Sequence, residues 1–295
     1  MLKHLGVAVG SIVALAFTIS LSGNAQTTGE KTVKGGYAPV NGLKMYYEVH
    51  GDGGEPLLLI HGGVVGIAVF GGNVDALAKG RKVIAVELQA HAHTADIDRP
   101  FSFEAFADDV AALVKYLGLQ QVDVMGYSLG GGVALQVAIR HPELVRRLVV
   151  VSAPCKRQGF YPEVLTEMNR MGPGSGEMMK QSPLSKMYPN VDWTTLFSKL
   201  GSLLSQDYDW SKQVAVIRAP TMLVFADADA VKPEHVVEFY KLLGGGQKDA
   251  GIDGSGRSMN QLAIVPGQTH YSIDAAPALV ATVIPFLDAP LTHQN

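Results

Sequence analysis

Six short apolar runs, at 56–60, 82–86, 122–125, 148–151, 221–225 and 262–265, recur along the chain without the alternation of a half-exposed strand. Unalternated runs of this length suit strands covered on both faces, as in a parallel sheet flanked by helices. Helical patterns separate them. Phe103, Phe106, Val110, Leu113, Val114 and Leu117 follow helical spacing, with Ser102 as N-cap and Gly118 as stop. Leu129 to Arg140 reads as a second helix ended near His141-Pro142, and Ala275 to Leu287 as a closing helix with Pro277 in its first turn. A hairpin precedes the series: Tyr37–Val40, the Asn41-Gly42 turn pair, then Leu43–Val49. Strands alternating with helices in this way give an α/β fold whose mostly parallel sheet is built with right-handed crossovers.

One stretch breaks the rhythm. From Cys155 to about Arg218 there is no strand pattern, only helical pieces separated by Gly172-Pro173-Gly174-Ser175-Gly176, Pro183 and Pro189. An insertion of roughly sixty residues is too long for a plain loop. It reads as a helical cap at 155–218, laid over a core made of 26–154 and 219–295. The cap holds both tryptophans, Trp193 and Trp210, and five of the ten methionines: Met168, Met171, Met178, Met179 and Met187. These side chains either line an adaptable apolar pocket or pack cap against core.

The first residues belong to neither part. Lys3 and His4 precede the apolar run Leu5–Leu21, and small and polar residues follow at Ser22–Gln26. That is the layout of a secretory signal, expected to span 1–25 and to place the mature protein in the periplasm or outside the cell. The competing reading is an uncleaved anchor, for which the apolar run is at the short edge of a bilayer span. A formal net charge of −3, without any Lys/Arg cluster, gives no case for nucleic acid. It gives none for stable membrane association after signal cleavage either. The single cysteine, Cys155, cannot form an intramolecular disulfide, and no neighbour in sequence marks it as a nucleophile.

Chemistry concentrates at Gly126-Tyr127-Ser128-Leu129-Gly130, between the run ending at Met125 and the helix starting at Leu129. A strand that turns sharply into a helix leaves the serine on strained backbone at the tip. Glycines two residues to either side remove side chains that would collide there. A serine hydroxyl needs a base, and the base needs an orienting acid. His270 follows the last apolar run, after Pro266-Gly267-Gln268-Thr269. His4, His50, His141 and His293 stand at less suitable places. Two acids, Asp227 and Asp229, follow the run 221–225.

Ala219-Pro220-Thr221-Met222-Leu223-Val224-Phe225-Ala226-Asp227-Ala228-Asp229 resembles the strand and acid turn of α/β-hydrolases that carry a lid. The resemblance extends from about Tyr37 to Leu287. It implies the chain order nucleophile, acid, histidine, with the second acidic position as the triad acid. Asp229 is then favoured, and Asp227 becomes a turn-capping residue. His61-Gly62-Gly63 matches the family's His-Gly-X turn. The N–H of Gly63, or less favourably Gly62, is expected to join that of Leu129 in an oxyanion hole, with His61 in a structural role.

The sequence departs from the family at Gln89-Ala90-His91-Ala92-His93-Thr94-Ala95-Asp96, where alanines replace the glycines of a Gly-His-Gly turn. Positive φ there strains any residue but glycine. The spacing of His91, His93, Asp96 and Asp98 matches no strong metal pattern, and a solvated or active-site-rim loop is expected. Gly244-Gly245-Gly246, Gly251, Gly254 and Gly256 mark a surface excursion and not a phosphate cradle. The expected activity is hydrolysis of a small-molecule carboxylic ester or lactone through Ser128, His270 and Asp229, without cofactor or metal. Cofactor-free perhydrolase or haloperoxidase chemistry and C–C bond hydrolysis use the same motifs. A non-catalytic ligand-binding protein is the weaker reading, because nucleophile, base, acid and oxyanion turn are all present.

Overall fold

The computed structural model describes residues 34–290, so the signal expected at 1–25 lies outside the described residues. Strands β1 (Lys34–Val40) and β2 (Leu43–His50) form a hairpin, followed by β3 (Leu57–Ile60), the short helix α1 (Asn73–Leu77) and β4 (Val83–Val86). Then come α2 (Phe103–Tyr116), β5 (Val122–Tyr127), α3 (Leu129–Arg140) and β6 (Val145–Val151). Five helices follow without an intervening strand: α4 (Pro162–Arg170), α5 (Pro173–Met179), α6 (Pro183–Met187), α7 (Trp193–Leu204) and α8 (Ser211–Val214). The chain ends with β7 (Thr221–Ala228), α9 (Pro233–Leu242), β8 (Gln261–Thr269) and α10 (Pro277–Asp288).

The eight strands make one sheet in the order β1-β2-β4-β3-β5-β6-β7-β8. β2 runs antiparallel to both β1 and β4, and every other neighbouring pair is parallel. Alternate residues of one strand enter opposite cores. Leu58 and Ile60 of β3 join Phe106, Val110 and Val133 from α2 and α3, while Leu57 and Leu59 join Val74, Leu279 and Phe286 from α1 and α10. With helices on both faces there is no polar side for a strand to show, which is why the runs do not alternate.

Four of the six expected runs lie within a strand, and β3 and β4 each begin one residue after the start of theirs. β6 begins three residues before the run at 148–151, because Arg146 and Arg147 interrupt its apolar pattern. Both are accommodated by acceptors: Arg146 Nη2 lies 2.5 Å from Asp123 Oδ2, and Arg147 Nη1 lies 3.2 Å from the Leu287 carbonyl. Ser102 caps α2 as expected, its Oγ accepting the Ala105 N–H at 3.0 Å, and Gly118 takes φ 69 just past the helix. In the strandless stretch, α7 buries Trp193, Leu196, Phe197, Leu200 and Leu203 against the α2/α3 core. Of the methionines there, Met179 is buried, whereas Met178 and Met187 are exposed.

Main chain packs directly against main chain where β5 turns into α3. A Cβ at Gly126 would overlap the Gly130 carbonyl, and one at Gly130 would overlap the carbonyl oxygens of Ile60 and His61 at the end of β3. Backbone atoms cannot yield to a methyl as a flexible side chain can. Gly130→Ala is therefore expected to destabilise the fold by about 2–3 kcal/mol, as read from urea unfolding. A loss below about 0.5 kcal/mol would contradict this account of the contact.

Candidate active site

The close approach of β5, α3 and β3 puts Ser128 at the tip of the turn with φ 52 and ψ −116. That backbone is unfavourable for any residue with a Cβ. It is held because the Ser128 N–H donates to the Val151 carbonyl at 2.9 Å and the Ser128 carbonyl accepts from Gly131 and Gly132. Ser128 Oγ lies 3.0 Å from His270 Nε2, and His270 Nδ1 lies 3.0 Å from Asp229 Oδ1. With its proton on Nδ1, facing the carboxylate, the imidazole presents a lone pair at Nε2 to the serine hydroxyl.

Asp229 is saturated with donors. Its Oδ2 accepts from Ser152 Oγ at 2.6 Å and from the Ala226 N–H at 2.9 Å, and its Oδ1 also accepts the Val231 N–H at 3.2 Å. Burial alone would raise this carboxyl. The His270 contact, the Ser152 hydroxyl and the Ala226 N–H outweigh it and hold the group below the ordinary carboxylate value. Asp227, two residues earlier, points to solvent and accepts the Gln268 N–H at 3.1 Å, which ties the end of β7 to β8. Of the two aspartates, only Asp229 meets the imidazole.

The histidine loop is pinned from behind. Tyr127 OH donates to the His270 carbonyl at 2.6 Å, and Asn73 Nδ2 donates to the carbonyls of Asp274 and Ala276 at 2.8 and 3.0 Å. Beside the serine, a Cβ on Gly62 would meet the Tyr127 ring and lie 3.5 Å from Ser128 Cβ, so the His61-Gly62-Gly63 turn abuts the Ser128 turn. Leu129 opens the twelve-residue α3, where the first N–H groups have no partner within the helix. Ser152 was not among the residues singled out from sequence. Its signal was positional: a polar residue closing β6 at the carboxyl edge of the sheet, where ligands of parallel sheets bind. Its φ of 50 adds a second strained residue to the site.

The segment after β4 differs from expectation. His91 is fully buried, not solvated or at a rim, and only His93 reaches the surface. Ala90 and Ala92 do take the left-handed backbone that glycine would take at lower cost, at φ 65 and 46. Hydrogen bonds over-determine this conformation: the His91 N–H donates to Leu88 O, the Thr94 N–H to His91 O, and Thr94 Oγ1 to Glu87 O. Glu87 is itself buried, and its Oε2 accepts the His93 N–H at 2.7 Å and His93 Nδ1–H at 3.0 Å. His61 Nε2 accepts the Leu88 N–H at 3.1 Å, and its ring centroid stands 5.0 Å from that of His91. Among the described residues, no group of three or more His, Cys, Asp or Glu is placed to hold a metal ion. Cys155 is buried, which pushes its thiol up to about 12, and its backbone N–H donates to His235 Nε2.

Residues 55–171 match the family described as alpha/beta hydrolase fold. The chain resembles the solved structure of an enol-lactonase from Burkholderia xenovorans with a TM-score of 0.68 at 19% identity, over 86% of this chain and 100% of that one. It resembles a carboxylesterase from Bacillus subtilis with a TM-score of 0.68 at 20% identity, over 88% of this chain and 93% of that one. The chain has the α/β-hydrolase fold. Among sequence relatives, a putative carbamate hydrolase of Azorhizobium caulinodans is 28% identical over 68% of this chain and 83% of its own length. A 2-hydroxymuconate semialdehyde hydrolase of a Pseudomonas species is 36% identical, over only 36% of this chain and 39% of its own. Within this fold, alanine at 90 and 92 is the main departure from the motifs that the resemblance implies.

The two buried imidazoles make stability depend on pH. Burial depresses His61 to about 3, with the neighbouring His91 adding to the effect, and depresses His91 to about 4. In the unfolded chain both titrate near 6.5, so below that pH the unfolded state binds protons that the folded state excludes. Their contribution is complete above about pH 6.5 and is lost as pH falls towards 4 and 3. Thermal unfolding followed by circular dichroism should show Tm falling steadily from pH 7 to 4.5. His91→Asn should flatten the slope of stability with pH by up to about 1.4 kcal/mol per pH unit, the value of one proton. An unchanged slope in a folded variant would remove His91 from this role.

Proposed function

We propose that this α/β-hydrolase is a serine hydrolase that cleaves a small carboxylic ester or lactone through an acyl-enzyme. The observation that carries the reading is the chain of contacts from Ser128 Oγ through His270 to Asp229, with both links at 3.0 Å. Ser128 Oγ attacks the substrate carbonyl carbon while His270 Nε2 takes the hydroxyl proton, and Asp229 stabilises the imidazolium that forms. The N–H groups of Leu129 and Gly63 receive the charge that develops on the carbonyl oxygen, each worth about a hundredfold or more in rate. His270 then hands its proton to the leaving alkoxide, which departs as the alcohol. A water, deprotonated by the same Nε2, attacks the acyl-enzyme, and collapse of the second intermediate returns the serine and releases the acid. In a lactone the alcohol and the acid remain one molecule. The enol-lactonase and the carboxylesterase share this fold, and the putative carbamate hydrolase is related over most of its length, so hydrolysis of a carbonyl compound is in keeping with all three.

The reading is tested by labelling with a fluorophosphonate, which phosphonylates an activated serine. Wild type should label and Ser128→Ala should not; an unlabelled wild type would overturn the proposal. Asp229→Asn should lower kcat by roughly a thousandfold to ten-thousandfold by favouring the wrong imidazole tautomer, whereas Asp227→Asn should stay within about tenfold of wild type. The reverse order would reassign the acid. Initial rates on a panel of esters, lactones, carbamates and diketones then identify the bond cleaved.

We also propose that the protein is exported, on the strength of the apolar and small-residue pattern at 1–26. Fractionation of an expressing bacterial host should find the processed chain outside the cytoplasm and a chain lacking 1–25 inside it. Full-length chain retained in the cytoplasm would refute export.

A further inference from the structure

Helix α7 carries a side chain onto the Gly63 turn. Leu200 is buried, and its Cδ2 and Cδ1 lie 3.4 and 3.7 Å from the point where a Cβ on Gly63 would stand. Leu129 Cδ2 lies 3.9 Å from the same point. Three separate parts of the chain therefore close on one spot: the loop after β3, the first residue of α3, and the middle of α7. The adjacent residue fixes the helix there. Lys199 Nζ lies 2.6 Å from Asp96 Oδ2, 2.8 Å from the Ile97 carbonyl and 3.0 Å from the Arg99 carbonyl. Asp96 is held in turn, its Oδ1 accepting from Gln89 Nε2 at 2.7 Å. An ammonium with three oxygen partners does not release its helix without leaving those oxygens to find others. The branched end of Leu200 is thus a fixed wall and not a side chain on a loose lid.

Resting on the assignment of Ser128 as nucleophile and of Leu129 and Gly63 as oxyanion donors, we propose that Leu200 sets the length of the acyl group. It restricts the enzyme to substrates whose acyl part is short. A carbonyl oxygen seated between the two N–H groups brings its acyl carbon chain out beside Gly63 and Leu129, into the space that Leu200 fills. The alcohol side of the ester is not constrained by this contact, so discrimination falls on the acid released. In a well-packed apolar site one methylene too many or too few alters kcat/KM by about ten- to two-hundredfold.

The test is kcat/KM for p-nitrophenyl acetate, butyrate and octanoate with wild type, Leu200→Ala and Lys199→Met. Wild type should favour acetate and butyrate over octanoate. Leu200→Ala should raise the octanoate-to-acetate ratio by about tenfold or more, by opening the wall. Lys199→Met keeps the aliphatic stem but removes the ammonium, and should raise the ratio in the same direction by a smaller factor. If Leu200→Ala does not fold, Leu200→Val serves in its place with a smaller expected rise. An unmoved ratio in a folded position-200 variant, or a wild type that favours octanoate, overturns the assignment of Leu200. Fluorophosphonate labelling of wild type runs in parallel. Labelling with an unmoved ratio defeats Leu200 alone, whereas absence of labelling defeats the nucleophile reading and this proposal with it.

Discussion

The contact on which the rest of the site depends is backbone against backbone, where α3 leaves β5 and passes the end of β3. Gly130 lies against the carbonyl oxygens of Ile60 and His61, and Gly126 against the carbonyl of Gly130. No side chain fits between them, so the three segments meet at the distance set by their main chains. That closeness does two things together. It forces Ser128 into a left-handed conformation at the tip, and it brings the His61-Gly62-Gly63 turn alongside the serine. The strain at Ser128 persists because the packing leaves the chain no other path.

Parallel topology supplies the other partners. Strands β5, β6 and β7 run the same way and β8 joins them, so Ser128, Ser152, Asp229 and His270, each just past a strand's carboxyl end, emerge at one edge of the sheet. Residues separated by more than a hundred positions then need only short loops to meet. The loops are held firmly. Tyr127, within the Gly126–Gly130 pentapeptide, reaches the His270 carbonyl, and Asn73 from α1 secures the turn that follows. Carboxylate orientation is treated with equal care: Ser152 and the Ala226 N–H occupy Oδ2, which leaves Oδ1 to the imidazole and the Val231 N–H.

The segment after β4 is the other organising feature. Two alanines in left-handed backbone are costly, yet that conformation turns His91 inward against His61 and Phe101 while Glu87 gathers the His93 donors. The same segment presents Asp96 and the carbonyls of Ile97 and Arg99 to Lys199. The loop after β4 thereby anchors helix α7. The burial of His91 was not legible in the sequence. Histidine is intermediate in its preference for core or surface, and nothing local distinguishes an imidazole whose Nδ1–H meets the Gln89 carbonyl from one in water.

Sequence alone determined the layers of this protein and the place of its candidate site. Unalternated runs require a sheet covered on both faces, and Gly126-Tyr127-Ser128-Leu129-Gly130 between such a run and a helical pattern requires a sharp turn with a serine at its tip. These features are local, since each depends on residues within a few positions of one another, and so they can be read from order alone. The start of β6 was hidden because Arg146 and Arg147 look like loop residues until Asp123 and the Leu287 carbonyl receive them. Choosing between Asp227 and Asp229 needed a resemblance, because two acids two residues apart look alike in sequence; the fold turns one to the imidazole and the other to solvent. Ser152, the inward His91 and the placement of Leu200 over Gly63 were decided only by tertiary structure. Each arises where segments far apart in the chain are pressed together, and the free energy that holds them there belongs to the packed whole.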